Sequence, residues 1–268
     1  MLMDPSAHPT CDGLWIGGRP GMTHAEVMDD LDANGVLTAL AVGLPGVGGY
    51  EHERFLELTM EHPRLVPVAA LTVVDGRPSV ERDLDEIARL GYRLVKIHPR
   101  LLGYERTLAQ LPYLLGECIE RRLAVLLCTY PEYRSQVSAR SARAVMASAL
   151  AHHSEGHFMT LHTGVLDPEP FAAVAAGSER MLLDFSLSLL KYPDEVWPHL
   201  MRLIERMPRS LCLGSDGPEW TYRQVHATLD QLAERTSPGA AEALGGSNLV
   251  RWLANVDADL VPRVIRDL

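Results

Sequence analysis

Short runs rich in leucine and β-branched residues recur along this chain, and each is followed by a longer segment with helical spacing. Strict alternation of strand and helix signals narrows the architecture to a parallel sheet covered by helices, because a parallel neighbour needs a long crossover and here the crossovers are helical. The strand candidates are Cys11 to Gly17, Val36 to Gly43, Leu65 to Val73, Tyr92 to His98, Leu123 to Thr129, His157 to His162, Arg180 to Ser186 and Ser210 to Asp216. Helical spacing is plainest from Ser79 to Leu90, where Val80, Leu84, Ile87 and Leu90 form one apolar stripe. At 268 residues the chain accommodates a closed barrel, which takes about 250, with no second domain. The first turn lacks the GxGxxG of an open dinucleotide-binding sheet, so a (β/α)8 TIM-type barrel is expected, one domain over residues 1–268.

Barrel enzymes keep their chemistry at the C-terminal ends of the strands. Side chains alternate faces along a strand, so the apolar residues that pack beneath the helices identify what enters the barrel. On the fourth strand Val95 and Ile97 face the helices, which sends Lys96 and His98 inward with Arg100 just beyond the rim. On the fifth, Val125 and Leu127 go out and Cys128 goes in. On the sixth, Met159 and Leu161 go out and His162 goes in. On the eighth, Leu211 and Leu213 go out and Asp216 goes in. These groups are expected to share one mouth. The glycines of Gly43-Leu44-Pro45-Gly46-Val47-Gly48-Gly49 suit a rim segment, either lid or connector.

Acidic residues outnumber basic ones, 35 to 25, for a net charge of −10, and the basic residues are scattered. A polyanion is repelled by such a surface, so nucleic acid is not an expected partner. No stretch is long and apolar enough for a membrane span, and Met1-Leu2-Met3-Asp4-Pro5-Ser6 resembles no export signal. Cys11, Cys118, Cys128 and Cys212 form no CxxC pair, which points to reduced thiols rather than a disulfide framework. A cytoplasmic protein acting on a small molecule is the expectation, with a homodimer left open.

Five stretches together resemble the amidohydrolase-related family of metal-dependent hydrolases, also called the amidohydrolase 2 group. They are Gly91-Tyr92-Arg93-Leu94-Val95-Lys96-Ile97-His98-Pro99, Thr160-Leu161-His162-Thr163-Gly164, Leu183-Asp184-Phe185-Ser186, Gly214-Ser215-Asp216-Gly217-Pro218 and Leu244-Gly245-Gly246-Ser247-Asn248. The resemblance runs from Val36 to Leu253. It implies a distorted (β/α)8 barrel in which zinc or a similar ion activates water to attack an amide, lactone or carboxylated ring. It also implies His162 as sixth-strand ligand and Asp216 as the carboxylate that binds metal or moves a proton. The family's first strand carries Asp-x-His-x-His, whereas Asp12-Gly13-Leu14-Trp15-Ile16 sets Leu14 and Ile16 where imidazoles belong. Cys128 takes the place of the fifth-strand histidine. A degenerate metal site follows, with either no cofactor or a single Zn2+ held by Cys128, His162 and Asp216, joined by His98.

Each candidate has a plainer structural reading beside the chemical one. Asp216 is a general base for water, or a carboxylate ion-paired with Lys96 or Arg100. His162 is an acid, base or ligand, or a core imidazole bonded to backbone. His98 contacts substrate, or only anchors the turn before Pro99. Cys128 is a ligand or nucleophile, or a small buried hydrophobe. Lys96 forms a Schiff base, holds a substrate carboxylate, or pairs with Asp216. The expected function is hydrolysis or a related lytic step on a small polar or anionic substrate. Asp216 is its proton-transfer carboxylate with His162 as partner or ligand, and Lys96, His98, Arg100 and Cys128 contact the substrate. The alternative is a barrel that has lost its metal and binds a ligand or partner without catalysis.

Overall fold

Eight parallel strands succeed one another in chain order around the sheet, as helical crossovers require. They are β1 (Met3–Ala7), β2 (Thr38–Val42), β3 (Leu65–Ala70), β4 (Leu94–Ile97), β5 (Ala124–Cys128), β6 (Phe158–Leu161), β7 (Met181–Asp184) and β8 (Leu211–Cys212). This computed structural model describes residues 2–266 and has the expected (β/α)8 barrel. Among the described residues no helix is long and apolar enough to cross a membrane.

Two apolar layers hold the barrel. Outside the strands, Val95, Ile97, Val125, Leu127, Leu183 and Leu211 pack against helix residues such as Leu84, Ile87 and Leu111. Inside, Leu40, Val42, Val68, Leu94, Leu126 and Met159 fill the lumen, and Leu249, Trp252 and Leu253 join this inner layer from the helix Asn248–Val256. The predicted stripe is the buried face of the helix Arg77–Leu90, which ends at Gly91 in the left-handed conformation that glycine adopts without a Cβ clash. Each fully buried leucine of this kind contributes about 1.5–3 kcal/mol.

The first strand lies upstream of the predicted one. Cys11 to Gly17 is a loop ending in a short 3-10 turn at Ile16–Gly18, and Leu14 and Ile16 are 49% and 41% exposed. They replace no ligand. The true strand, Met3-Asp4-Pro5-Ser6-Ala7, is fully buried yet carries a proline and two polar residues, so it has no strand-like apolar alternation. A second correction concerns β6, where Met159 and Leu161 fill the lumen instead of facing the helices.

Candidate active site

Residues from both ends of the chain meet where β1 and β8 open onto the C-terminal mouth. His8, just past β1, sets Nδ1 2.8 Å from the Val42 carbonyl, which requires a proton on that nitrogen and turns Nε2 toward the centre. Around Nε2 lie Lys96 Nζ at 3.2 Å, Asp216 Oδ1 at 3.3 Å and Ser6 Oγ at 3.3 Å. Burial first, and the lysine second, lower the affinity of His8 for a further proton, against the pull of Asp216. Neutral His8 therefore accepts from Lys96, whose own pKa burial also lowers.

Asp216 sits beyond β8 and His162 directly after β6, both with left-handed backbone at φ 52° and 58°. A non-glycine residue held there costs about 1–3 kcal/mol, so the surroundings must fix it. They do so around His162: its N–H donates to Asp184 Oδ2 at 3.1 Å, Val165 N donates to its carbonyl at 2.8 Å, and Gly164 N donates to Thr129 Oγ1 at 2.8 Å. This turn carries the imidazole to the mouth although Leu161 before it fills the lumen. His162 Nε2 then lies 3.6 Å from Asp216 Oδ1, and Nδ1 lies 3.9 Å from Asp184 Oδ2.

The charges follow from this placement. Burial pushes the Asp216 carboxyl up, but His162 and, behind it, Lys96 outweigh it and hold the group far below the usual carboxylate range. Burial pulls His162 down, but Asp216, Cys128 and Asp184 outweigh it and raise its pKa. Burial raises Asp184 to about 6, against His162 and the Ser186 donors. The arrangement sets a buried carboxylate 3.6 Å from an imidazole whose affinity for a proton it raises. Cys128 lies between His98 and His162; burial pushes its thiol up, yet the two imidazoles bring it well below the usual thiol range. His98 also caps the short helix Pro99–Leu102, accepting from Leu101 N at 3.3 Å, so it anchors the turn and contacts the site.

Lys96, His98, Cys128, His162 and Asp216 thus converge as the sequence implies. Arg100 does not join them: its guanidinium stacks on the Tyr130 ring, 4.6 Å from the centroid. The alternative reading of a direct ion pair between Lys96 and Asp216 is not met, since His8 stands between the two. Ser6, His8 and Asp184 were missed. For Ser6 and His8 the signal was present, because Asp4-Pro5-Ser6-Ala7-His8 is the first-strand pattern with serine replacing one histidine.

The donor set bears on the zinc expectation. Ligands on a zinc ion with bonds of about 2.1 Å stand about 3.4 Å apart, close to the spacings around Asp216. The His8 lone pair that would bind such an ion is instead met by the Lys96 ammonium. Among the described residues no group of three or more His, Cys, Asp or Glu side chains converges to hold a metal. The residues present do not fit the ion. Their resident cation is Lys96.

A family model described as Amidohydrolase matches residues 21–253, a stretch that begins after β1. No curated protein matches the chain. Among solved structures, an uncharacterised TIM-barrel protein of Bordetella bronchiseptica has a TM-score of 0.78 at 16% identity, covering 95% of this chain and 99% of that one. A probable 2-pyrone-4,6-dicarboxylic acid hydrolase of Acinetobacter baumannii, with citric acid bound, has a TM-score of 0.65 at 14% identity, covering 94% and 98%. A 2,6-dihydroxybenzoate decarboxylase of Rhizobium has a TM-score of 0.59 at 12% identity, covering 95% and 99%. At these identities the likeness concerns the fold.

Proposed function

The chain belongs to the amidohydrolase family, and from that premise we propose that it is an enzyme acting on a small anionic substrate by hydrolysis or a related lytic step. The observation that carries this reading is the Asp216 carboxylate, buried between His8 and His162 with Lys96 alongside. Asp216 accepts a proton from an attacking water, or returns one to the product. The His162 imidazolium and the Lys96 ammonium face the negative charge that develops on the substrate, where fixed charges are most effective because bulk water is excluded. His98 and Cys128 belong to the same buried cluster. The hydrolase and decarboxylase of similar fold bear the names of carboxylated rings, which makes such rings the substrates to screen first. The proposal places the enzyme in the cytoplasm, where its four unpaired cysteines stay reduced.

With a substrate found by that screen, Asp216→Asn and His162→Ala are each expected to lose at least about 100-fold in kcat while the circular dichroism spectrum is preserved. Undiminished turnover in both variants would refute the assignment. Because Lys96 meets the His8 lone pair that an ion would need, dialysis against a chelator is expected to leave activity intact, whereas Lys96→Met abolishes it. Inactivation by chelator that zinc then restores would overturn the metal-free reading. Ser6, in place of an imidazole, favours one alternative, a barrel that binds its ligand without turnover. Ligand binding by wild-type protein with no product formed would establish it.

A further inference from the structure

We propose that the hydroxyls of Tyr130, Tyr133 and Tyr192, together with Lys191 and Arg100, form a second oxyanion subsite at the barrel mouth that receives a carboxylate of the substrate. The site itself rests on geometry; its ligand being a substrate group rests on the catalytic reading above. Tyr130 and Tyr133 lie on the segment after β5, and Tyr192 joins the helices Ser186–Lys191 and Pro193–Arg206 after β7. Their oxygens form a triangle with sides of 3.0, 3.1 and 3.3 Å. Lys191 Nζ donates to the Tyr130 hydroxyl at 3.0 Å, and Arg100 lies 4.6 Å from the centroid of the same ring.

Three observations favour an anion over a plain strap between loops. The first concerns charge: among the described residues, neither Lys191 nor Arg100 belongs to an ion pair, although the chain carries a net charge of −10. The chain's two lysines are Lys96 and Lys191; one reaches the catalytic centre and the other this triangle. The second concerns hydrogen bonding. Each phenol has one proton to donate, and with Lys191 supplying a donor to Tyr130, the three protons can turn toward a shared acceptor. The third concerns access and reach. Tyr133 is 73% exposed, so the triangle opens to solvent, and the Tyr130 ring stands edge-on to His162 with centroids 6.3 Å apart. The triangle therefore lies one tyrosine ring away from the catalytic imidazole.

Benzoate and inorganic phosphate, titrated separately and followed by tyrosine difference absorbance, test the site. The proteins are wild type, Lys191→Met, Tyr133→Phe and Asp216→Asn, each checked for fold by circular dichroism. Benzoate is expected to saturate the wild type, to bind about tenfold more weakly in Lys191→Met and Tyr133→Phe, and not to weaken in Asp216→Asn. Absence of saturable benzoate binding, or binding in the lysine and tyrosine variants as tight as in the wild type, would overturn the subsite. Loss of binding in Asp216→Asn alone would do the same by placing the anion in the catalytic centre. Tighter binding of phosphate would overturn the assignment to a carboxylate. Turnover that survives Asp216→Asn while the titrations behave as expected refutes only the catalytic reading, so the two failures remain distinct.

Discussion

His162 and Asp216 are each charged in a place that would neutralise either one alone, so their titrations are linked. Burial pulls the imidazole below its ordinary value of 6.5, and Asp216 is the strongest influence raising it back and beyond. Because the folded value is raised, the stabilisation from protonated His162 is fully present below about pH 6.5 and is lost as the pH climbs through the raised value. Asp216 runs the opposite way. Its folded value is depressed, so its contribution is present above about pH 4 and is lost as the pH falls through the depressed value. The pairing of carboxylate and imidazolium therefore persists from acidic pH up to the raised value of His162, which sets the basic limb. In Asp216→Asn, NMR titration of the His162 ring should show its pKa moving down. A His162 value unchanged by that substitution would show that the carboxylate does not govern the imidazole.

At the level of elements, the route by which β8 approaches β1 decides whether the site assembles. Gly214, following β8, donates its N–H to Ser186 Oγ at 3.0 Å, and a Cβ there would lie 2.2 Å from Asp4 Oδ1 and 2.4 Å from Pro5 Cδ. Neither neighbour can yield easily, since one is a buried carboxylate tied by hydrogen bonds and the other a ring in the strand. Gly214→Ala should destabilise by about 1–3 kcal/mol and lower kcat as well, because the strand it displaces carries Ser6 and leads into His8. Thr23→Ala provides the contrast. It breaks the capping box with Glu26 and should cost about 1 kcal/mol with kcat unchanged. Equal kcat in the two variants would show that β1 tolerates the shift. The same element explains what the sequence could and could not reveal. Strands such as β4 and β5 were legible because their outward residues are apolar and their helices have clean stripes. β1 was not, because Asp4 and Ser6 bear the closure and the chemistry, which leaves no apolar alternation to read. His162 was assigned to the right cavity through the wrong face of its strand, since a left-handed turn after Leu161 redirects the chain and alternation does not extend through it.

For the whole molecule, the weak point of the barrel is the seam between its first and last strands. β8 is two residues long, and among the described residues no ladder joins it to β1. The seam is instead stitched by His8 N donating to Gly217 O at 3.0 Å and by the Asp4 carboxylate. That carboxylate accepts from Ser6 N at 3.0 Å, Ser215 N at 3.1 Å, the Ser215 hydroxyl and the Tyr222 hydroxyl at 2.8 Å. Removing a buried acceptor strands its donors, which costs about 1–3 kcal/mol for each group left unsatisfied. Tyr222→Phe deletes one donor and should lower stability modestly, while Asp4→Ala strands several and should lower it by more, both read by urea denaturation. Hydrogen exchange locates the loss. If the seam is a local closure, the amides of Ser215 and Gly217 should lose protection in Asp4→Ala while those of β4 and β5 keep theirs, because regions with separate supporting contacts open separately. Uniform loss around all the strands would mean that the barrel opens only as a unit. Unchanged stability in Asp4→Ala would mean that something other than this carboxylate holds the ends together.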